Sequence, residues 1–295
     1  MTKKIAFTDE QKELMYKLRA ENGYTYEKIG RLFGVSDKTI IRNIKSLNRE
    51  CIKADLSHKF DKYYFYNIDI PDKAYWLGFI TADGYVNVRR NTLQIHLGWC
   101  DRHHLEKFIK SIQGDFEVKK EIHSVTKNNI ASLSIYGKEF VQGLKNHGLN
   151  NKKSNHEVFD ETIPEEFYPD YIRGLWDGDG CIRKSHIDLR SSFSVCSRIQ
   201  EILIDKCKIS KTKIGFNSNI YRLYITKGKI DVLKYMYYPL LNKDIVLDRK
   251  YQTAKRLILD SIKVNKCRPT SKVAWRRRTK KPELSGEPVK IFREK

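Results

Sequence analysis

Apolar and polar residues recur along this chain with two different periods, and the places where the period changes divide it. Leu14, Met15 and Leu18 stand at helical intervals behind Thr8 and Gln11, which have capping-box spacing, and the pattern stops at Asn22-Gly23. A second helix is expected from about Tyr26, carrying Ile29, Leu32 and Phe33. Gly34 permits a tight turn, and Ser36 caps a third helix whose Ile40, Ile41 and Ile44 face inward. From Asn48 to Pro71 the periodicity fades, so 51–70 reads as a linker, its aromatic run Tyr63, Tyr64, Phe65 and Tyr66 a packing strap rather than a base-stacking platform. After it one alternation occurs twice: a helix ending in Asp-Gly, a hairpin, a helix, a second hairpin and a closing helical stretch.

The first copy is expected as helix 73–83, strands near 85–90 and 92–99, helix 101–113, hairpin 116–136 and helix 138–147. The second is expected as helix 168–179, strands near 181–185 and 187–196, helix 198–208, hairpin 211–227 and helices within 229–263. In the hairpins Leu93, Ile95 and Leu97 alternate with Gln94 and His96; Leu189, Phe193 and Val195 with Arg190, Ser192 and Ser194; Tyr221, Leu223 and Ile225 with Arg222 and Tyr224. Each sheet thus has a dry and a wet face. The organisation is α+β, with two matched halves at 71–155 and 156–263 behind a small all-α domain at 1–50. A tail at 264–295, with Arg276, Arg277, Arg278, Lys280 and Lys281 among Pro269, Pro282 and Pro288, is expected to be disordered.

Charge adds a partner. Against 36 Asp and Glu stand 57 Lys and Arg, a formal balance of +21, which suits a protein that meets a polyanion, nucleic acid first. The 40% apolar content is enough for a buried core. Cys51, Cys100, Cys181, Cys196, Cys207 and Cys267 form no CxxC pair, so neither a zinc knuckle nor a disulfide framework is indicated. No stretch approaches the roughly 18 to 20 apolar residues of a membrane span, and the N-terminus leads into an amphipathic helix rather than a signal core. An intracellular protein, cytoplasmic or nucleoid-associated, is expected. No GxxxxGK loop is present, which disfavours an ATP-driven helicase or recombinase.

The chemistry lies in the paired helices, which read WLGFITADG from Trp76 and IRGLWDGDG from Ile172. Gly78 with Ala82, and Gly174 with Gly178, place small residues four apart on one helical face, where another backbone can come close. Each helix then ends in aspartate and glycine, the glycine expected in a left-handed cap. One Asp-Gly is ordinarily a helix stop; two in register, 96 residues apart, invite more. Packed together, the helices make Asp83 and Asp179 neighbours at two C-termini, where like charge and both macrodipoles disfavour carboxylates and call for a cation. Hard oxygen donors, with the carbonyls of Ala82 and Gly178 as further ligands, select Mg²⁺, for which Mn²⁺ can substitute.

These residues resemble the LAGLIDADG homing endonuclease family in its single-chain form with two motif copies, over about Pro71 to Lys263. The resemblance implies a duplicated αββαββα core with saddle-like sheets, and metal binding by Asp83 and Asp179 with the preceding carbonyls. It implies hydrolysis of both strands of one long duplex site with short 3′ overhangs, by a monomer. Thr81 and Asp177 hold the sixth motif position, which in the family is not the metal ligand. A basic residue near each metal site is also implied, and GLNNKKS from Gly148 and LDRKY from Leu247 nominate Lys153 and Lys250, with Lys152 and Arg249 as adjacent competitors.

The wet sheet faces would then read DNA, through Gln94, His96, Arg183, Arg190, Arg222 and Tyr224. The segment IGRLFGVSDKTIIRNI resembles the helix-turn-helix of regulators and recombinases, which would bring Lys38, Thr39, Arg42 and Lys45 near a groove; the plain alternative is a three-helix bundle. His103 and His104, at a helix start, suit a surface or capping role better than metal binding. Two other functions stay open: a regulator that keeps the scaffold only to bind DNA, and a maturase that binds intron RNA. An intein is disfavoured, since the termini lack the splicing nucleophile and terminal Asn.

Overall fold

The computed structural model describes residues 6–22, 24–47, 58–151, 157–237 and 245–266. Three helices come first: α1 (Asp9–Ala20), α2 (Tyr26–Phe33) and α3 (Asp37–Lys45). Thr8 and Gln11 close the expected capping box, and Thr25 and Ser36 cap α2 and α3. Gly34 turns the chain between them at φ 67°. Met15, Ile29, Ile40 and Ile44 form a core of their own. Ile41, expected inward, is half-buried, and Leu14 and Leu32 of the apolar periodicity are 50% and 62% exposed. On helices this short the buried stripe is one residue wide per turn, so their neighbours on the heptad face water.

The larger core is built twice. The first half comprises α4 (Pro71–Asp83), β1 (Gly84–Asn87), β2 (Thr92–Gly98), α5 (Arg102–Ser111), β3 (Lys119–Ile122), β4 (Asn129–Tyr136) and α6 (Lys138–Asn146). The second comprises α7 (Tyr168–Asp179), β5 (Gly180–Ile182), β6 (Ile187–Ser191), α8 (Phe193–Cys207), β7 (Gly215–Asn217), β8 (Ile220–Ile225), α9 (Lys229–Tyr237) and α10 (Asp248–Lys266). Each half holds a four-stranded antiparallel sheet, ordered β1-β2-β4-β3 and β5-β6-β8-β7. Leu93, Ile95, Leu133 and Ile135 line the dry face of the first, and Ile187, Leu189, Leu223 and Ile225 that of the second.

One expected strand ends early. Ser192, Phe193, Ser194 and Val195 are not in β6, because the Ser192 hydroxyl accepts from the Val195 N–H at 3.2 Å and starts α8 five residues before its expected beginning. An alternating apolar pattern over four residues also fits the first turn of an amphipathic helix, and the cap decides between them.

The second half of the expected linker belongs to the core. Tyr64, Phe65 and Ile68 are buried, and the Phe65 ring lies 5.4 Å from that of Phe140 on α6. Tyr64 and Phe65 thus pack as the expected strap while Tyr63 and Tyr66 are exposed; 48–57 and the tail 267–295 lie outside the described residues. Among the described residues no helix is long and apolar enough to cross a membrane.

Candidate active site between the paired helices

Helices α4 and α7 make the most extensive contact of any two elements described. Glycine makes it possible at both sides of the crossing. A Cβ on Gly78 would overlap the carbonyl oxygen of Tyr171, and one on Gly174 would overlap that of Tyr75. The contact is reciprocal, as two copies of one motif related by a pseudo-two-fold would give. One turn on, a Cβ on Gly178 would strike the Ala82 methyl and come within 3.4 Å of Asp83 Oδ2. The room that Gly178 leaves is taken by the Ala82 methyl, and the Asp83 carboxylate lies beside the last turn of α7 next to Gly178, the residue before the exposed Asp179.

Gly84 and Gly180 do not take the expected left-handed cap. Their backbones are extended, φ −81° and ψ 144° and φ −91° and ψ 161°, because each chain passes straight from helix into strand. Glycine is needed for space instead, since a Cβ there would run into the carbonyls of Ile80 and Trp176.

Lys250, on the first turn of α10, is buried, and its ammonium donates to the carbonyls of Trp176, Asp177 and Gly178 at 2.8, 2.6 and 2.9 Å. Three ammonium hydrogens meet three acceptors, so the side chain caps the negative end of α7. The Gly178 carbonyl, expected to be left over for a metal, is already accepting this bond. Burial pushes the Lys250 pKa down, opposed by the charge of Asp177 and, less strongly, of Asp83 and Asp179. Part of the positive charge that the two carboxylates call for thus comes from the protein itself. The competitor Arg249 turns away and binds Asp101 at 2.9 Å. Lys153, with Lys152, lies outside the described residues.

Asp177 holds the lysine-bearing segment in place. It is wholly buried and accepts from the Tyr237 hydroxyl at 2.6 Å, the Tyr75 hydroxyl at 2.7 Å and the Leu247 N–H at 2.9 Å. Burial raises its pKa, and these three bonds with the Lys250 charge offset part of the rise. Because Tyr75 gives its proton to Asp177, it accepts from His104 Nε2 at 3.0 Å. His104 is therefore a core residue, not the surface or capping residue expected from its place at a helix start. Burial pushes its pKa down to about 3, so it is neutral near pH 7. His103 is the exposed partner of Glu106. At the sixth motif position of the first half, the Thr81 hydroxyl bonds back to Leu77 in its own helix. The halves match in backbone and differ in this buried polar layer, which also holds Arg173, bound to Asp170 and to the Met236 carbonyl.

Of the residues expected to meet DNA, His96, Arg183 and Arg190 are exposed, Gln94 and Arg222 half-buried, and Tyr224 37% exposed. Arg183 is in the turn after β5 rather than in a strand, with its Nε 3.3 Å from Cys181 Sγ. Lys38, Arg42 and Lys45 share one exposed face of α3, whereas Thr39 is half-buried and its hydroxyl meets that of the capping Ser36. Asp188 is a functional candidate that the sequence reading passed over: on the wet face of β6, buried, and bound to Arg222 Nε at 2.9 Å. Its signal was the register that sets β6 against β8, which alternation alone does not reveal.

The donor set available to a metal is two carboxylates, Asp83 and Asp179, with helix-end carbonyls, all hard oxygens. The place of the Asp83 carboxylate, beside Gly178, the chain neighbour of Asp179, fits such a site. Among the described residues no three His, Cys, Asp or Glu side chains are grouped to hold a metal by themselves.

No family model matches the sequence. No curated protein matches it either. Solved structures do: the homing endonuclease I-WcaI bound to its DNA recognition sequence has a TM-score of 0.47 at 14% identity, over 70% of this chain and 93% of that one. The LAGLIDADG meganuclease I-AabMI bound to uncleaved DNA has a TM-score of 0.41 at 16% identity, over 67% and 92%. The N-terminal LAGLIDADG domain of DUF199/WhiA has a TM-score of 0.40 at 17% identity, over 62% and 92%. The structural neighbours of this chain include LAGLIDADG homing endonucleases and the LAGLIDADG domain of WhiA.

Proposed function

We propose that this chain is a metal-dependent endonuclease that hydrolyses both strands of double-stranded DNA at one long site, as a monomer, leaving short 3′ overhangs. The observation that carries the reading is the reciprocal crossing of α4 and α7, which sets the Asp83 carboxylate against the last turn of α7 beside Asp179. Asp83 and Asp179, with the Ala82 carbonyl and the lone pair of the Gly178 carbonyl that Lys250 does not use, would hold Mg²⁺ or Mn²⁺. A bound divalent ion would supply Lewis acidity at the scissile phosphate and a more acidic water. Lys250 serves by fixing the carbonyls of 176–178 and lowering the negative potential at the α7 terminus, since its three N–H groups are committed there. Lys153 is proposed for the matching place in the first half.

Selection from a randomised duplex library tests the reading. Incubation with Mg²⁺ or Mn²⁺ is expected to yield cut duplexes sharing one long site, and chelator is expected to abolish cutting. Cutting that survives chelator contradicts the metal assignment. Specific binding without cutting under any metal favours a DNA-binding regulator, and selective binding of intron RNA favours a maturase.

The three-helix domain would add a second contact with DNA through Lys38, Arg42 and Lys45. Tethering makes that contact intramolecular, so it raises affinity without altering the chemistry. A chain beginning at residue 58 keeps Phe65 in the core, where a start near Asn67 would remove it. The shortened chain is expected to cut the core site, bind a long target more weakly and protect a shorter footprint. Arg42→Ala in the full chain is expected to reproduce part of that loss. Identical footprints and affinities would leave the domain a plain helical bundle.

A further inference from the structure

The two sheets share one backbone register and carry different chemistry on it. Gly84 pairs with Ile95 and Gly180 with Leu189, which sets Asp188 in the place of Gln94 and Arg190 in that of His96. On the facing strands, Tyr224 takes the place of Ser134 and Arg222 that of Ser132. The wet face of the first sheet carries a glutamine, a histidine and two serines at these four positions, and that of the second two arginines, an aspartate and a tyrosine.

The charged group is built rather than scattered. Asp188 is 3% exposed, and its Oδ1 accepts from Arg222 Nε at 2.9 Å. Its buried Oδ2 has no hydrogen-bond partner among the described residues, the His186 Nε2 lying 3.4 Å off. The Arg222 guanidinium lies 4.7 Å from the centre of the Tyr224 ring, and the His186 ring lies 4.5 Å from it. Arg190 stands directly across from Arg222. Like charges so placed repel, and Asp188 offsets the repulsion while fixing the rotamer of Arg222. Asp188, Arg190, Arg222 and His186, with Arg183 and Asp179, line an open cavity of about 410 Å³ that reaches the candidate cleavage centre.

The bond to Asp188 uses Nε and leaves the Nη1–Nη2 end of the fork, on a side chain 36% exposed, to meet a ligand. The matching acceptor in duplex DNA is the O6–N7 edge of guanine in the major groove. A phosphate would also accept two N–H groups. Position favours the base, since β6 and β8 are the inner strands of their sheet and the outer strands lie nearer the backbones of a duplex laid along it. Resting on the endonuclease reading above, we propose that Arg222, braced by Asp188 and Tyr224, reads a guanine close to the cut in the half-site under the second sheet. The half-site under the first sheet has no equivalent, so the target is asymmetric in how strictly it is read.

Binding selection with the full-length protein, in chelator so that duplexes stay whole, tests this apart from cleavage. The native protein is expected to enrich guanine at one position of one half-site by about tenfold to a hundredfold. Arg222→Gln and Arg222→Lys are expected to remove that preference and leave the other positions within about twofold. Arg222→Lys keeps the charge and so retains overall affinity. Asp188→Asn is expected to weaken the preference without moving it, and melting curves of each variant separate loss of reading from loss of fold. A uniform loss of affinity across all duplexes in Arg222→Lys and Arg222→Gln makes Arg222 a phosphate contact and overturns the proposal. So does an equal guanine preference in both half-sites, or none in either while other positions stay selective. A profile flat at every position removes the endonuclease reading as well.

Discussion

Asp179→Asn, and separately Asp83→Asn, are expected to lower double-strand cleavage by at least about a thousandfold, roughly 4 kcal/mol of transition-state stabilisation, while duplex affinity stays within about tenfold. Asparagine keeps the shape of the side chain and one oxygen, so the crossing of α4 and α7 should survive. What it removes is the negative charge that makes a carboxylate a strong ligand for a hard cation. On the proposed reading, binding rests on the sheets and the basic surface, and loss of one negative charge beside a bound phosphate would favour it slightly. The two aspartates close different helices, so one remaining acid can still support nicking of a single strand. Single-turnover assays on a supercoiled plasmid, which resolve nicked from linear product, measure both steps. Full linearisation by either variant would falsify the metal assignment.

Much of this site was legible in the sequence, because its causes are local. Small residues four apart predict a close helix crossing, and Gly78 against Tyr171 with Gly174 against Tyr75 realise it. The aspartate after the first such pair follows the crossing, and Asp83 lies beside Gly178. Alternation likewise gave the dry faces through Leu93, Ile95, Leu223 and Ile225. What escaped depends on partners distant in the chain. Arg249 and Lys250 are adjacent and equally basic, and only the docking of α10 decides that one caps α7 while the other meets Asp101. His104 looked like a helix-start residue until Tyr75, from α4, took up its ring nitrogen. The Asp-Gly ends were read correctly as helix stops and incorrectly as left-handed caps, since glycine relieves crowding there rather than supplying a positive φ.

The largest expected effect on stability belongs to Asp177, the carboxylate on which three elements converge. Asp177→Ala leaves the hydroxyls of Tyr75 and Tyr237 and the N–H of Leu247 buried without their acceptor, at about 1–3 kcal/mol for each group that finds no other. It also takes a compensating negative charge from the buried Lys250. Water entering the space would meet part of this demand, so a net loss of about 3–5 kcal/mol is expected, the range for breaking one side of a buried charged network. Against the roughly 5–15 kcal/mol by which domains are stable, that leaves the core marginal. Asp177→Asn should cost less, because its oxygen still accepts while its amide nitrogen faces donors. Tyr237→Phe removes one bond, at about 1 kcal/mol. Urea unfolding of the three variants and of Asp177→Ala/Tyr237→Phe closes a cycle, and the double variant is expected to fall short of the sum by about 1 kcal/mol, since either single change already removes the Tyr237–Asp177 bond. The loss should extend to α10: with Leu247 released, the Lys250 cap loosens, and amide exchange in the last turn of α7 is expected to quicken along with that of α10. A cost of Asp177→Ala below about 1 kcal/mol, with additive double-variant energies, would mean that packing of Trp176 and Tyr237 holds this layer and that the carboxylate is incidental to it.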